Sequence, residues 1–316
     1  MRLLMLATGP FALPTFREMY ASPHAVVGLV TGPIRPQHTP QPVPVNPLRA
    51  LAAQHGTPIF DPESVNDPAS RSRLAQWQAD LLVVCDYGQI LAIETLATAR
   101  LGGINLHASL LPKYRGAAPI NWALYHGERE TGVTVIHMTP QLDAGPCIAQ
   151  CRQEIGPDET APQLETRLAE VGAALVQQAI DCLERGAATA LPQDPALASR
   201  APRLKKTDGL IDWQRPAEAL RNQVRALQPW PKCCTYWRRS QGQPLRLILG
   251  PVTASADSAA APPGSVLEAV GDRLVVAAGQ GRLILGSIQP AGKRMLPVAE
   301  FLRGYRVQPG DHFSSG

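Results

Sequence analysis

Three residues in this chain have the types and spacing for acyl-group chemistry: Asn105, His107 and Asp143. The first two lie in GGINLHASLLPKYRGAAPI, residues 102 to 119, where Ile104 and Leu106 alternate with Asn105 and His107. Alternation of that period is a strand with one apolar face, and the Pro and Gly residues that follow stop it and set a turn. A second strand-like run, TGVTVIHM, leads into TPQLDAGP, a turn that presents Asp143 ahead of Gly145 and Pro146. His supplies a group that titrates near neutrality, Asp orients it and supports its charge, and Asn donates to a developing oxyanion. Taken singly, each has a plainer reading as a hydrogen-bonded strand-end His or a turn Asp. Only the joint arrangement points to catalysis. No Ser or Cys sits in a nucleophile elbow, so the nucleophile should come from a substrate. The reaction class is then group transfer between two bound molecules.

Such a set needs strand ends to carry it. Through residue 186, strand-like runs (RLLMLA, AVVGLV, LLVVC, GINLHA, GVTVIHM) alternate with helix-like ones (FREMY, PLRALAAQHG, RLAQWQAD, PINWALYHG). The alternation closes with a long helix in which Leu164, Leu168, Val171 and Leu175 recur at helical spacing and Gly186 is the stop. This predicts an α/β, Rossmann-like domain over 1–186 with a mostly parallel sheet, whose ligands bind beyond the carboxyl ends of the strands. Residues 187–207, rich in Ala, Pro and charge, read as a linker. From 208 to 316, one helix (PAEALRNQVRALQPW) is followed by five short strands (TYWRR, PLRLIL, SVLEAV, RLVVAA, RLILGSI) with tight turns. That is the pattern of a small, OB-like β-barrel.

Composition narrows the class further. Residues 200–316 carry 17 Lys and Arg against 8 Asp and Glu, while residues 1–199 carry 13 against 18. A basic second domain beside an acidic first one suits a polyanion partner, although a merely soluble surface would look the same. No run approaches the roughly 18 to 20 apolar residues of a membrane span. The apolar start contains Gly9, Pro10 and Pro14, which suits a first strand better than a signal peptide. None of the six cysteines forms a CxxC pair, so free thiols, a reducing compartment, a cytoplasmic location and no metal are expected. The glycine pairs do not form GxGxxG, which argues against a dinucleotide enzyme.

With those residues in view, segment 102–149 resembles the 10-formyltetrahydrofolate-dependent formyltransferases in N-x-H, SLLP, YRGAAPI, ETGVT and LDAG. MRLLMLATGPFA is similar to that family's first strand and turn, and DYGQIL to its folate-pocket loop. LKKTDGLIDW, VRALQPWP, PGSVLEA, QPAGKRM and EFLRG follow, in order, the C-terminal domain of its methionyl-tRNA branch. The resemblance implies Asn105, His107 and Asp143 as the catalytic trio. It implies Asp86, Tyr87, Gly88, Ser109, Leu110, Leu111 and Pro112 as folate contacts, 10-formyltetrahydrofolate as co-substrate without a metal, and initiator methionyl-tRNA as acceptor. In the implied reaction the methionyl α-amino group attacks the formyl carbon, Asn105 with His107 stabilises the oxyanion, and Asp143 orients His107 and helps take the amine proton. The product would be N-formylmethionyl-tRNA for translation initiation, made by a monomer. Sugar-nucleotide formyltransferases, a formyl-folate hydrolase and a non-catalytic RNA-binding protein are the rival readings.

Cations expected to meet tRNA phosphates are Arg35, Arg49, Lys205, Lys206, Arg238, Arg239, Lys293 and Arg294. Two features depart from the family pattern. The stretch GPIRPQHTPQPVPVNPLR is proline-rich where a basic, Gly-rich loop is usual, and Asp86 stands where a small residue is usual. The prolines predict a stiff arm that acts as a steric wedge near the tRNA end, with Arg35 or Arg49 as its phosphate partner.

Overall fold

The computed structural model describes residues 1–34, 46–238, 243–258 and 260–315. Contacts divide the chain into two compact units. The first comprises Met1–Pro119, Glu130–Glu154 and Leu164–Pro202; the second comprises Ile120–Arg129, Ile155–Gln163 and Arg203–Gly316.

Unit one is built on a seven-stranded sheet. Its strands are β1 (Arg2–Ala7), β2 (Ala25–Val30), β3 (Ile59–Phe60), β4 (Leu81–Cys85), β5 (Gly103–His107), β7 (Glu130–His137) and β8 (Cys147–Glu154), with a two-residue β6 (Arg115–Gly116) outside it. The order is β3-β2-β1-β4-β5-β7-β8, parallel through β5 and antiparallel for the last two. β4 is LLVVC, buried at every position, and β1 is buried at all but its first. Continuous apolar runs of this kind belong to strands covered on both faces. β8 (CIAQCRQE) has no such run: it is a half-exposed edge strand, which is why periodicity did not single it out. Between strands lie α1 (Leu13–Ala21), α2 (Pro47–Gln54), α3 (Pro68–Gln76), α4 (Ile93–Leu96) and α5 (Pro119–Tyr125), most of the last belonging to unit two. The Asn46 side chain caps α2 by accepting from the Leu48 N–H, with Pro47 at the first helical position.

The long helix α6 (Ala161–Glu184) buries Leu164, Leu168, Val176 and Ile180. Its far end lies at the amino edge of the sheet, where Glu184 meets the Met1 amino group and Asp181 meets His24. The helix therefore runs away from the carboxyl edge, and its early turns are at the ligand side. Residues 187–202, the larger part of the stretch 187–207 expected as a linker, are laid along unit one. Leu191 pairs with Cys147, and β9 (Arg200–Ala201) pairs in parallel with β6.

Unit two carries α7 (Ala217–Ala226), to which its two early segments attach: the Asn121 amide donates to the Ala226 carbonyl at 2.7 Å, and Arg225 reaches the Gly156 carbonyl at 3.2 Å. Its strands are β10 (Cys233–Arg238), β11 (Leu245–Leu249), β12 (Val252–Ser255), β13 (Val266–Val270), β14 (Arg273–Ala277), β15 (Arg282–Leu285), β16 (Ser287–Pro290), β17 (Leu296–Pro297) and β18 (His312–Ser314). Two antiparallel sheets result, β17-β16-β11-β10-β18 and β12-β15-β14-β13. β11 runs into β12 through Gly250-Pro251, and β15 into β16 through Gly286, so two bent strands pass through both sheets. At the far side Ser265 bridges to His312, joining β13 to β18. The sequence patterns had merged or missed the short strands because each bend interrupts the period of two.

Leu82 on β4 is fully buried among Leu4, Leu6, Val84 and Leu96. Leu82→Ala should cost roughly 2–5 kcal/mol, read as a lower denaturant midpoint for the transition of the first unit.

Candidate active site

β5 ends with Asn105 half-buried and His107 buried, and the turn after β7 brings Asp143 to them. The Asn105 Nδ2 is 3.4 Å from Asp143 Oδ1, and His107 Nδ1 is 3.6 Å from Asp143 Oδ2. The three residues singled out from sequence are thus contiguous. The ring has a second neighbour as well. His107 Nε2 lies 2.9 Å from the Tyr114 carbonyl oxygen, which can only accept, so Nε2 carries the proton. Nδ1 faces the carboxylate at ion-pair rather than hydrogen-bond distance. Asp143 itself is held by the Gly116 N–H at 2.9 Å.

Both loops need unusual backbone. Asp143 sits at φ +49° and Tyr114 at φ +63°, left-handed conformations that cost side-chain-bearing residues energy and that Asp tolerates better than most. Gly116, at φ +128°, has the Ala201 carbonyl oxygen 2.4 Å from where a Cβ would be. Only glycine fits there, and its N–H is the one that meets Asp143.

The SLLP turn is pinned from β7 and β8. Thr134 Oγ1 donates to the Ser109 carbonyl at 2.7 Å and accepts from the Leu111 N–H at 3.1 Å, while Gln150 Nε2 donates to the Leu111 carbonyl at 2.7 Å. Ser109 and Leu111 are buried, and the Ser109 hydroxyl donates to the Lys113 carbonyl at 2.6 Å. Of this motif, Leu110 and Pro112 alone keep partial exposure. Sequence reading missed Thr134 and Gln150 as supports, although Thr134 lies inside the ETGVT run it had marked.

The loop after β4 behaves similarly. The Tyr87 ring belongs to the apolar core with Leu4, Val84 and Leu91, and burial pushes its hydroxyl up to about 12. Its side chain is therefore no surface contact; Asp86 and Gly88 are the exposed members. Asp86, at φ +49°, lays its carboxylate against Gly9, whose absent side chain makes the room: a Cβ there would be 1.6 Å from Asp86 Oδ2. Asp86 keeps solvent contact yet is crowded by protein, and desolvation raises its pKa. Glu165, early in α6, is raised by burial first and by the Asp86 charge second. Among the described residues no cluster of three His, Cys, Asp or Glu could hold a metal ion.

The comparisons with known proteins agree with this layout. A family model described as formyl transferase matches residues 2–180, and one described as formyl transferase, C-terminal domain, matches residues 203–306. The chain belongs to the formyltransferase family. It is 42% identical to the methionyl-tRNA formyltransferase of Rhodopirellula baltica over 98% of this chain and 96% of that protein. It is 41% identical to that of Citrifermentans bemidjiense over 98% and 95%. In fold it is similar to an N-formyltransferase from Helicobacter canadensis solved with folinic acid and dTDP-3-aminofucose, with a TM-score of 0.67 at 16% identity over 91% of this chain and 98% of that one.

The cations expected to meet phosphate are scattered in this formyltransferase. Arg49 is committed internally, its guanidinium donating to Asp61 at 2.7 Å and to the Gly32 carbonyl at 2.9 Å. Arg35, Arg239 and most of the proline-rich stretch, with the proposed wedge, lie outside the described residues. In unit two, Lys205, Lys206, Arg238, Lys293 and Arg294 are exposed, Arg294 beside Glu300 at 2.8 Å. Strand register places Arg238 and the Lys293–Arg294 turn at one end of the five-stranded sheet. Lys205 and Lys206 precede Leu210, which pairs with Cys234 at the other end.

Asp86 permits a test of its crowding. A carboxyl raised in the folded state binds more protons than in the unfolded chain, so stability falls as pH climbs from the unfolded value toward the folded one. Asp86→Asn, which keeps a side chain tolerant of positive φ, should melt at a higher temperature than the parent at pH 7. The gain should shrink as pH drops toward the ordinary carboxylate value, about 3.9. Equal melting temperatures at pH 7 would show that the surrounding protein does not desolvate this group.

Proposed function

We propose that this formyltransferase moves the formyl group of 10-formyltetrahydrofolate to the α-amino group of initiator methionyl-tRNA, with Asn105, His107 and Asp143 as the catalytic residues. The carrying observation is the meeting of one carboxylate with an amide and an imidazole at the end of β5. When bound, the folate supplies the formyl carbon that the amine attacks. Asp86 and Gly88, exposed beside Gly9, suit its N–H-rich ring system, because a carboxylate accepts what such a ring donates.

The chain's own groups divide the remaining work. Asn105 Nδ2 has a second N–H beyond the one facing Asp143, and that hydrogen is available to the oxygen on which negative charge develops. The attacking amine must be neutral, and with an α-amino pKa of roughly 7.7 to 8.0 a useful fraction is neutral near pH 7. Once bonded, it must lose a proton. Asp143 is the nearest carboxylate to Asn105, and His107, when it carries its proton on Nε2 alone, turns Nδ1 toward Asp143 and can take the proton onward. His107 Nε2 stays bound to the Tyr114 carbonyl, so the ring does not swing as its charge changes.

The acceptor reading rests on the relatives' names and on the exposed cations of unit two. With both units on one chain we read the enzyme as a monomer acting in the cytoplasm. Among the described residues no helix is long and apolar enough to cross a membrane.

Two measurements test this. His107→Ala and Asp143→Asn should each lower kcat for formyl-methionyl-tRNA synthesis by roughly 10²- to 10⁴-fold, and the double variant should lose less than the product of the two. Near-normal turnover by either removes that residue from the mechanism. For the acceptor, tRNA affinity should fall steeply with salt, and exchanging Lys205 and Lys206 together for Gln should flatten the log–log slope by about 1 to 2. Affinity indifferent to salt would reject phosphate contacts as its source.

A further inference from the structure

From Leu191 through Arg200 every residue is exposed except Gln193. Its amide makes four hydrogen bonds and is fully used. Oε1 accepts from Arg115 Nε at 3.0 Å and from Arg115 Nη2 at 2.6 Å. Nε2 donates to the Asp143 carbonyl at 2.8 Å and to the Gly145 carbonyl at 2.7 Å. The amide's orientation is dictated by these partners, since a guanidinium only donates and a carbonyl only accepts. One side chain thus ties the loop that carries Tyr114 and Gly116 to the turn that carries Asp143. The first of these loops supplies the backbone groups that hold His107 and the Asp143 carboxylate, and the second carries that carboxylate.

The segment bearing Gln193 is itself fastened on both sides. Leu191 exchanges two backbone hydrogen bonds with Cys147. Ser199 accepts from the Tyr114 N–H through its hydroxyl at 2.9 Å, accepts from the Arg115 N–H through its carbonyl at 2.8 Å, and donates its own N–H to the Pro112 carbonyl at 3.3 Å. Asp143 and Tyr114 both sit in left-handed backbone, a state that persists only where neighbours over-determine it. The Asp143 carbonyl is one of the groups so determined, and Gln193 is what determines it.

We propose that Gln193 is a positioning residue for formyl transfer: it holds the Asp143 turn against the Arg115–Gly116 strand so that the carboxylate stays in register with Asn105 and His107. The proposal rests on the assignment of Asp143 to the reaction. It makes residues 187–202 a strap that completes the site rather than a spacer.

Three variants of the full chain test it. Gln193→Ala removes both halves of the clamp. Gln193→Met keeps the bulk without hydrogen bonding, in case the smaller residue disturbs folding. Gln193→Glu keeps a partner for Arg115 but sets an acceptor against two carbonyl oxygens. A displacement of about 1 Å can cost a hundredfold in rate, so each should lower kcat about tenfold to a hundredfold. The KM values for 10-formyltetrahydrofolate and methionyl-tRNA should stay within about twofold, because ground-state binding is not what the clamp serves. The deciding readout is a double-mutant cycle with Asp143→Asn. If Gln193 acts through the carboxylate, Gln193→Met should cost at most about threefold on the Asp143→Asn background. A rate loss that multiplies in full with Asp143→Asn overturns the proposal and marks Gln193 as a general structural support. So does full kcat in Gln193→Glu. If Asp143→Asn is as active as the parent, the catalytic assignment fails first and the proposal falls with it, an outcome distinct from either of the others.

Discussion

A nearly buried carboxylate that must keep hydrogen-bond donors around it is the constraint on which the geometry of the site depends. Removing a carboxylate from water is costly unless donors replace the lost hydration. Asp143, with a side chain only 10% exposed, obtains them from the Gly116 N–H and the Asn105 amide, with the His107 ring beside it. Each donor makes its own demand. The Gly116 N–H can be offered only by a residue without a side chain, at a positive φ, pressed against Ala201. The Asn105 amide is delivered by the pleat of β5, and the imidazole is held from behind by a carbonyl of the same left-handed loop.

The sheet order follows from the same need. β5 lies between β4 on one side and β7 on the other, and its parallel pairing with β4 sets the Asp86 loop beside its end. Putting β7 antiparallel to β5 brings His137, at its end, opposite Ile104 at the start of β5. The turn after β7 must therefore come back toward the site, and β8 returns alongside to pin the SLLP turn through Gln150. The edge strand is polar and half-exposed because it serves the loops beside it more than the core.

The loop after β4 shows how one substitution can be accommodated. A carboxylate at position 86 needs space that a Cβ at position 9 would occupy, and Gly9 leaves it open. The cost is desolvation, felt by Asp86 and shared with Glu165. Tyr87 turns the other way, into the core, which anchors the loop while leaving its neighbours to face outward. Adjacent residues in one motif thus serve opposite purposes.

How much of this was legible beforehand differs from level to level. Strand and helix periods, the buried runs of β1 and β4, the punctuation by Gly and Pro and the joint presence of Asn105, His107 and Asp143 are local properties, carried by side-chain size, polarity and alternation along the chain. They were enough for the α/β class, for an antiparallel second unit and for singling out three residues that the fold brings together. Which members of a motif face outward was not a local property: Ser109, Leu111 and Tyr87 are polar, apolar and amphipathic, and all three are buried, because neighbouring strands claim them. Nor was the fate of Arg49, which a distant Asp61 neutralises, nor that of the β11–β12 and β15–β16 bends. Gln193 marks the limit most clearly. In the sequence it is one polar residue in a polar stretch; its role exists only because 50 residues separate it from Asp143 along the chain and 2.8 Å separate their hydrogen-bonding atoms in the fold. Hydrogen bonds between remote loops leave no period and no composition behind, so tertiary structure alone decides them.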